Sequence, residues 1–174
     1  GDAAELEEAV ETCTVNETYV FRQEYQLRAF RYEILPRLAK RERLLVWSAG
    51  CATGEEVYTL AAIILESGLV PPGRVHVFGT DISRSCIAFA RRGVYSATSF
   101  RGVTNPLYSH YFVKQPNGSR IVSPELKAIC KFRHANLLSD TAFAGSVDVV
   151  FCRNVLIHMG EAARQRVVSG FFNR

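Results

Sequence analysis

The sequence predicts an α/β protein built on an open, largely parallel sheet, and two observations carry that prediction. The first is the stretch from Arg43 to Leu65, where a continuous apolar run, a turn of small residues and a helix-spaced apolar pattern follow one another. The second is the return of that rhythm from Val75 to Arg92 and again from Ile129 to Phe172, with polar residues gathered where each strand ends.

In the first unit, Leu44, Leu45, Val46 and Trp47 form the kind of apolar run that a strand covered on both faces needs. Ser48-Ala49-Gly50-Cys51-Ala52-Thr53-Gly54 then removes side-chain bulk, so that a ligand can approach the backbone. Glu55 and Glu56 follow in a first helical turn, where the macrodipole favours acids, and Val57, Leu60, Ala61, Ile64 and Leu65 continue at helical spacing. The turn is not a P-loop, which requires Lys and then Ser or Thr after its last Gly, and Gly50 and Gly54 do not have GxGxxG spacing. Two carboxylates at this place repel a pyrophosphate. They suit a ligand bearing a cation, such as an amino group or a sulfonium, although either acid alone reads equally well as a helix-start acid.

At 174 residues the chain is one domain of ordinary size with a substantial core. No apolar run approaches the ~20 residues that span a bilayer, and nothing at the N-terminus resembles a signal peptide. A soluble, cytoplasmic chain without membrane insertion is expected. The five cysteines, Cys13, Cys51, Cys86, Cys130 and Cys152, are scattered and contain no CxxC pair, so they read as buried thiols and not as a metal site or disulfide frame. A net charge of +4 spread along the chain permits an acidic partner and does not call for nucleic acid.

In chain order, Asp2 to Glu11 is acidic and helix-permissive. Asn16-Glu17-Thr18-Tyr19-Val20-Phe21-Arg22 leads into a helical pattern through Tyr25, Leu27, Phe30, Ile34 and Leu38, with an interruption expected at Pro36. Residues 1–42 thus form a linker and helix carrying Arg22, which by itself reads as a solvated helix arginine. Residues 43–107 make the first half of the core, with a second strand from Val75 to Phe78, Gly79-Thr80-Asp81 at its end and a helix from about Ser83 to Arg92. Asp81 stands where a carboxylate accepts two ribose hydroxyls, or else caps the helix that follows. Residues 108–126 break the rhythm with a β-hairpin whose Asn117-Gly118 turn joins Val113-Lys114 to Arg120-Ile121-Val122. Residues 127–174 resume it with strands at Ile129 to His134 and Val147 to Cys152, then Arg153 to His158 and an amphipathic helix from about Glu161 to Phe172. Ligands of open parallel sheets bind at the carboxyl ends of strands, which groups Gly50 to Glu56, Asp81, Asn136-Leu137 and Arg153-Asn154 along one edge.

The stretches Asn16 to Arg22, Ser48 to Tyr58, Phe78 to Ile82, Asn136 to Leu138 and Phe151 to Ile157 together resemble the chemotaxis receptor methyltransferases, the CheR family, in order and spacing. The resemblance implies a Rossmann-like S-adenosylmethionine-dependent methyltransferase sheet with a small antiparallel β-hairpin insertion. It implies methylation of glutamate side chains on the cytoplasmic helices of chemoreceptors, with S-adenosylhomocysteine as product. It implies cofactor contacts from Asn16, Thr18, Arg22, Ala49, Glu56, Asp81, Asn136, Leu137, Arg153 and Asn154, with Glu56 on the methionine amino group and Asp81 on the ribose. Arg22, Arg153 and His158 are then the candidates for orienting the reacting groups.

Three departures from the family pattern stand out. His158 takes the place of a tyrosine, the helical domain ahead of the first motif is missing or reduced to Asp2 to Glu11, and the chain stops at Arg174, where such a sheet continues with further strands. The short hairpin turn suits recognition without a tethering receptor tail. Val147 to Cys152 is expected to be an apolar sheet edge, so that the chain is a fragment that associates or is incompletely ordered. A non-catalytic S-adenosylmethionine-binding regulatory module is the alternative function.

Overall fold

The computed structural model describes residues 17–103, 105–139 and 146–172. The expected helix within Asp2 to Glu11, the candidate Asn16 and Cys13 lie outside the described residues.

The chain enters through Glu17–Gln23 and continues as α1 (Glu24–Ala29), a π-helical turn (Phe30–Ile34) and α2 (Leu35–Leu38). The expected interruption at Pro36 is corrected here: the helix runs on, because the wider turn just before the proline relieves the clash of its ring with the carbonyl four residues back. The extra residue in that turn also rotates the buried face. Leu27, Phe30 and Leu35 are buried, whereas Ile34 and Tyr25, which the helical pattern placed inside, are 39 % and 68 % exposed.

Four parallel strands form the main sheet: β1 (Leu44–Ala49), β2 (Val75–Asp81), β6 (Cys130–His134) and β7 (Val149–Phe151), in the order β6-β2-β1-β7. The chain builds outward from β1 through β2 to β6, then returns to the other side of β1. The order therefore reverses between β1 and β7, and a switch point of this kind opens a crevice at the carboxyl ends. Along β1 the side chains alternate between faces. Leu44 and Val46 join the larger core with α3 (Glu55–Ser67), the N-terminal helix and α4 (Arg84–Arg92), while Trp47 and Ala49 join a smaller one. In the smaller core the Trp47 ring meets Phe171, from α6 (Glu161–Phe172), edge-on at 5.3 Å.

Helix α3 is buried on most of its surface, which explains its nearly continuous apolar sequence. The expected insertion is present and larger than a hairpin. β4 (Phe112–Lys114) and β5 (Arg120–Val122) pair antiparallel around the Asn117-Gly118 turn, and β3 (Val94–Tyr95) adds a third strand to β5. Ser123 then caps α5 (Pro124–Ile129), accepting a hydrogen bond from the Leu126 N–H, so the strand expected from Ile129 begins one residue later. The last strand is shorter than Val147 to Cys152. Asp148 ahead of it exchanges hydrogen bonds with the Leu45 backbone at 2.8 and 2.9 Å and fixes its register against β1. Among the described residues no strand pairs with the outer side of β7.

Candidate functional site

A cavity of about 470 Å³ occupies the crevice at the switch point, a size within the ~300–1,000 Å³ typical of small-molecule sites. Its floor is the turn after β1. The Gly50 and Cys51 N–H groups both donate to the Thr80 carbonyl, at 2.8 and 2.9 Å, and Gly50 adopts a φ of +79°. A Cβ on Gly50 would lie 2.3 Å from Val155 Cγ2, so glycine is required both by the left-handed backbone and by the closeness of the β7 loop.

Asp81, at the end of β2, ties this turn to the next loop: its Oδ2 accepts from the Ala52 N–H at 2.8 Å and its Oδ1 from the Ser83 N–H at 2.9 Å. The helix cap is Ser83, whose hydroxyl accepts from the Cys86 N–H, so the capping alternative for Asp81 is corrected. Asp81 is 9 % exposed and lines the cavity, and each oxygen of a carboxylate can accept more than one hydrogen bond, hydroxyl donors included.

Glu55 and Glu56 turn out to do different things. Glu55 is buried away from the cavity, accepting from the Thr53 hydroxyl at 2.6 Å and the Ser99 hydroxyl at 3.2 Å, and burial raises its carboxyl above the ordinary value. Glu56 lines the cavity. Its Oε1 accepts from the Ser48 hydroxyl at 2.7 Å and its Oε2 pairs with Arg153 Nη1 at 3.2 Å. Burial raises the Glu56 carboxyl, against which Arg153, Ser48 and Arg22 pull down.

Arg153 is 10 % exposed and serves several partners at once. Besides Glu56 it donates from Nη2 to the Arg22 carbonyl and, at 3.1 Å, to Gln23 Oε1. Its Nε is buried without a hydrogen-bond partner. Arg22 lies in the turn ahead of α1, not within a helix, and is partly buried, which corrects its reading as a solvated helix arginine; its Nη1 donates to the Glu17 carbonyl. Phe21 and Gln23 on either side of it have φ values of +61° and +56°. This strained turn presents Arg22 to the cavity and Phe21 to the core.

Thr18, Arg22, Glu56, Asp81, Asn136, Leu137, Arg153, Asn154 and His158 all line the cavity. Ala49 does not: it is buried at the strand end, and the backbone that reaches the cavity is Gly50–Ala52. His158 sits exposed at the rim in a short 3₁₀ turn, Leu156–His158. Sequence reasoning missed Tyr19, Ile82, Val155, Ile157 and Met159 in the lining and Gln23 behind it. Tyr19 and Ile157 fall inside stretches already singled out, so proximity to those motifs was the available signal. Cys51, Cys86 and Cys130 are buried free thiols and Cys152 is half-buried; burial pushes the Cys51 thiol well up, which keeps it neutral. Among the described residues no group of His, Cys, Asp and Glu is arranged to hold a metal ion, and no helix is long and apolar enough to cross a membrane.

An open parallel sheet with a glycine turn after its first strand, an acid ending its second and paired acids and arginines at the switch point defines a Rossmann-like cofactor-binding domain. The family described as CheR methyltransferase, SAM binding domain, matches residues 16–174, and the chain belongs to that family. It is 34 % identical over 166 residues to the chemotaxis protein methyltransferase of Vibrio parahaemolyticus, covering 92 % of this chain and 60 % of that protein. It is also 34 % identical over 170 residues to chemotaxis protein methyltransferase 1 of Pseudomonas aeruginosa, covering 93 % and 62 %. The chain thus spans about three fifths of the length of these relatives. A magnesium protoporphyrin IX methyltransferase of Synechocystis with bound SAM overlays with a TM-score of 0.47 at 19 % identity, over 86 % of this chain and 52 % of that one.

The residues present fit S-adenosylmethionine, the cofactor of the family. The cavity offers carboxylates for an amino group and a diol, a backbone cradle that only glycine leaves open, and a buried Arg153 Nε that lacks an acceptor.

Proposed function

We propose that this domain transfers a methyl group from S-adenosylmethionine to glutamate side chains of chemotaxis receptors. The observation that carries the proposal is the convergence of Glu56, Asp81, Arg22 and Arg153 on one cavity at the switch point, within a chain of the chemotaxis methyltransferase family. The bound cofactor supplies a methyl group on a sulfonium sulfur, open to in-line displacement.

Each residue then has a part. Glu56, already neutralised on one side by Arg153, directs its remaining lone pairs to the amino group of the methionine moiety. Asp81 accepts the ribose hydroxyls, and Asn136 and Leu137 at the end of β6 hold the base. The two arginines take different parts. Arg153 has its Nη groups engaged within the protein and keeps only Nε for the ligand, and Arg22, with only Nη1 bonded among the described residues, is the arginine with a fork left for a carboxylate of ligand or substrate. A glutamate nucleophile with an ordinary pKa near ~4.3 is ionised at neutral pH, so no general base is needed. What the protein contributes is orientation and exclusion of water. His158 at the rim can donate a hydrogen bond to the incoming carboxylate in place of the family's tyrosine.

Calorimetric titration with S-adenosylmethionine and S-adenosylhomocysteine, with Asp81→Ala and Glu56→Ala beside the wild type, tests the cofactor assignments. Saturable binding that both variants lose is expected, and undiminished binding by either removes that residue from the site. Methyl incorporation into a receptor cytoplasmic fragment, lost when its glutamates are changed to glutamine, tests the reaction. Binding without any incorporation would instead favour a regulatory module.

A further inference from the structure

A second cavity, of about 250 Å³, adjoins the first. Phe21 lines it while its neighbours Tyr19 and Arg22 line the first cavity. Along α3, Thr59 faces the first and Ile63 the second, a separation of four residues or ~6 Å. Phe21 forms the partition, its N–H donating to the Thr59 hydroxyl at 3.1 Å and its ring packed 4.5 Å from that of Tyr108.

The charge in this second cavity is mainly positive: Arg28 and Arg31 line it against the single acid Glu24. Arg31 is held in place, its guanidinium 5.4 Å from the centre of the Tyr32 ring and 5.8 Å from that of Tyr108, with Nη1 donating to the Tyr108 hydroxyl. An arginine fixed in this way loses little entropy when its remaining N–H groups grip a planar anion. Arg28, one turn earlier, is exposed. Tyr32 lines the cavity and is 64 % exposed, and Tyr25, three residues before Arg28, is 68 % exposed. Exposed tyrosines beside arginines are the composition of a binding surface and an unusual one for a solvated helix face.

We propose that this cavity docks the protein substrate by an acidic residue close to the one being methylated, with Arg28 and Arg31 as the carboxylate clamp and the tyrosines as the apolar border. The proposal rests on the reading that the first cavity methylates a protein carboxylate. Charge complementarity selects the occupant. A segment carrying a target glutamate and a second acid about one to two helical turns away can reach both cavities at once, because Thr59 in the wall of the first and Ile63 in the wall of the second are ~6 Å apart along α3. The second grip lends orientation to the first and discriminates against isolated glutamates.

The test uses Arg28→Glu, whose side chain is exposed so that folding is spared, and Arg31→Lys, which keeps the charge but not the fork. With a receptor fragment as substrate, both variants are expected to raise KM, Arg28→Glu by about five- to tenfold, with kcat and S-adenosylmethionine binding unchanged. Changing the acids that flank the target to glutamine, one at a time, is expected to identify one whose loss raises KM in the wild type and has no further effect in Arg28→Glu. Wild-type KM in both variants, or additive effects at every flanking acid, overturns the proposal. Should the wild type bind cofactor and methylate nothing, the functional reading has failed, and the docking site is judged by itself from fluorescence anisotropy with a glutamate-rich helical peptide. Equal binding by wild type and Arg28→Glu then overturns it, and weaker binding by Arg28→Glu supports it.

Discussion

Glu56 and Glu55 are adjacent in sequence and face different problems. Glu56 must be ionised to hold an amino group, and its carboxyl lies above the ordinary 4.5 in the protein without ligand, chiefly through burial. Cofactor affinity is therefore lost as the pH falls through that raised value. Titrations across pH 4 to 8 are expected to show an acid limb above 4.5 that disappears in Glu56→Gln, together with most of the affinity. A wild-type profile flat to pH 4 would deny Glu56 this role. Glu55 has no ligand to serve, and burial also raises its carboxyl. A raised folded-state value means that the folded protein takes up the proton more readily than the unfolded chain, so stability from this group falls as the pH rises through it. Glu55→Gln is expected to unfold at higher urea concentration than the wild type at pH 7, the difference vanishing towards pH 4. A variant less stable at pH 7 would mean that the bonds from Thr53 and Ser99 need the charge.

At the scale of elements, the turn between β1 and α3 joins three strand ends, its backbone meeting the Thr80 carbonyl, the Asp81 carboxylate and the Val155 side chain. Gly50 donates to β2 and abuts Val155 beyond β7, and Asp81 at the end of β2 reaches back to Ala52. Gly50→Ala adds a Cβ where the backbone is left-handed and the neighbour is a branched side chain, a combination expected to cost about 1–3 kcal/mol. Urea denaturation should show that loss, and calorimetry a cofactor affinity weakened with it; unaltered stability would mean that the β7 loop yields freely. The helix before β1 illustrates a different rule. Its apolar spacing identifies a helix correctly, yet the π turn ahead of Pro36 moves the buried face from Ile34 to Leu35, and no periodicity of 3.6 residues anticipates a shift of one residue.

At the scale of the whole molecule, the sheet ends in two edge strands, β6 with exposed Lys131 and Arg133 and β7 with the apolar Val149, Val150 and Phe151. β7 pairs with β1 by three residues, and among the described residues its outer backbone groups meet no other strand. An unpaired apolar edge favours association. Sedimentation velocity over a hundredfold range of concentration is expected to show reversible self-association of this chain, and a single monomer boundary throughout would show that the edge is protected. The smaller core behind that flank rests on Trp47, Ala49 and Ala135, with Phe171 from α6 closing it.

The family resemblance singled out Arg22 and Glu56, and the sequence by itself determined the parallel α/β class and the strand ends as the site edge, with Asp81 and Arg153 along it. Those features depend on local rules: apolar runs for buried strands, small residues at a close approach, and acids or amides where strands stop. Only the tertiary structure decided which of two adjacent glutamates enters the cavity, that Arg153 spans 130 positions to Gln23, that β3 joins the hairpin, and that a second, arginine-lined cavity lies behind Phe21. These depend on which surfaces the packing of the helix on the sheet leaves facing each other, and no pattern along the chain encodes a contact between residues so far apart.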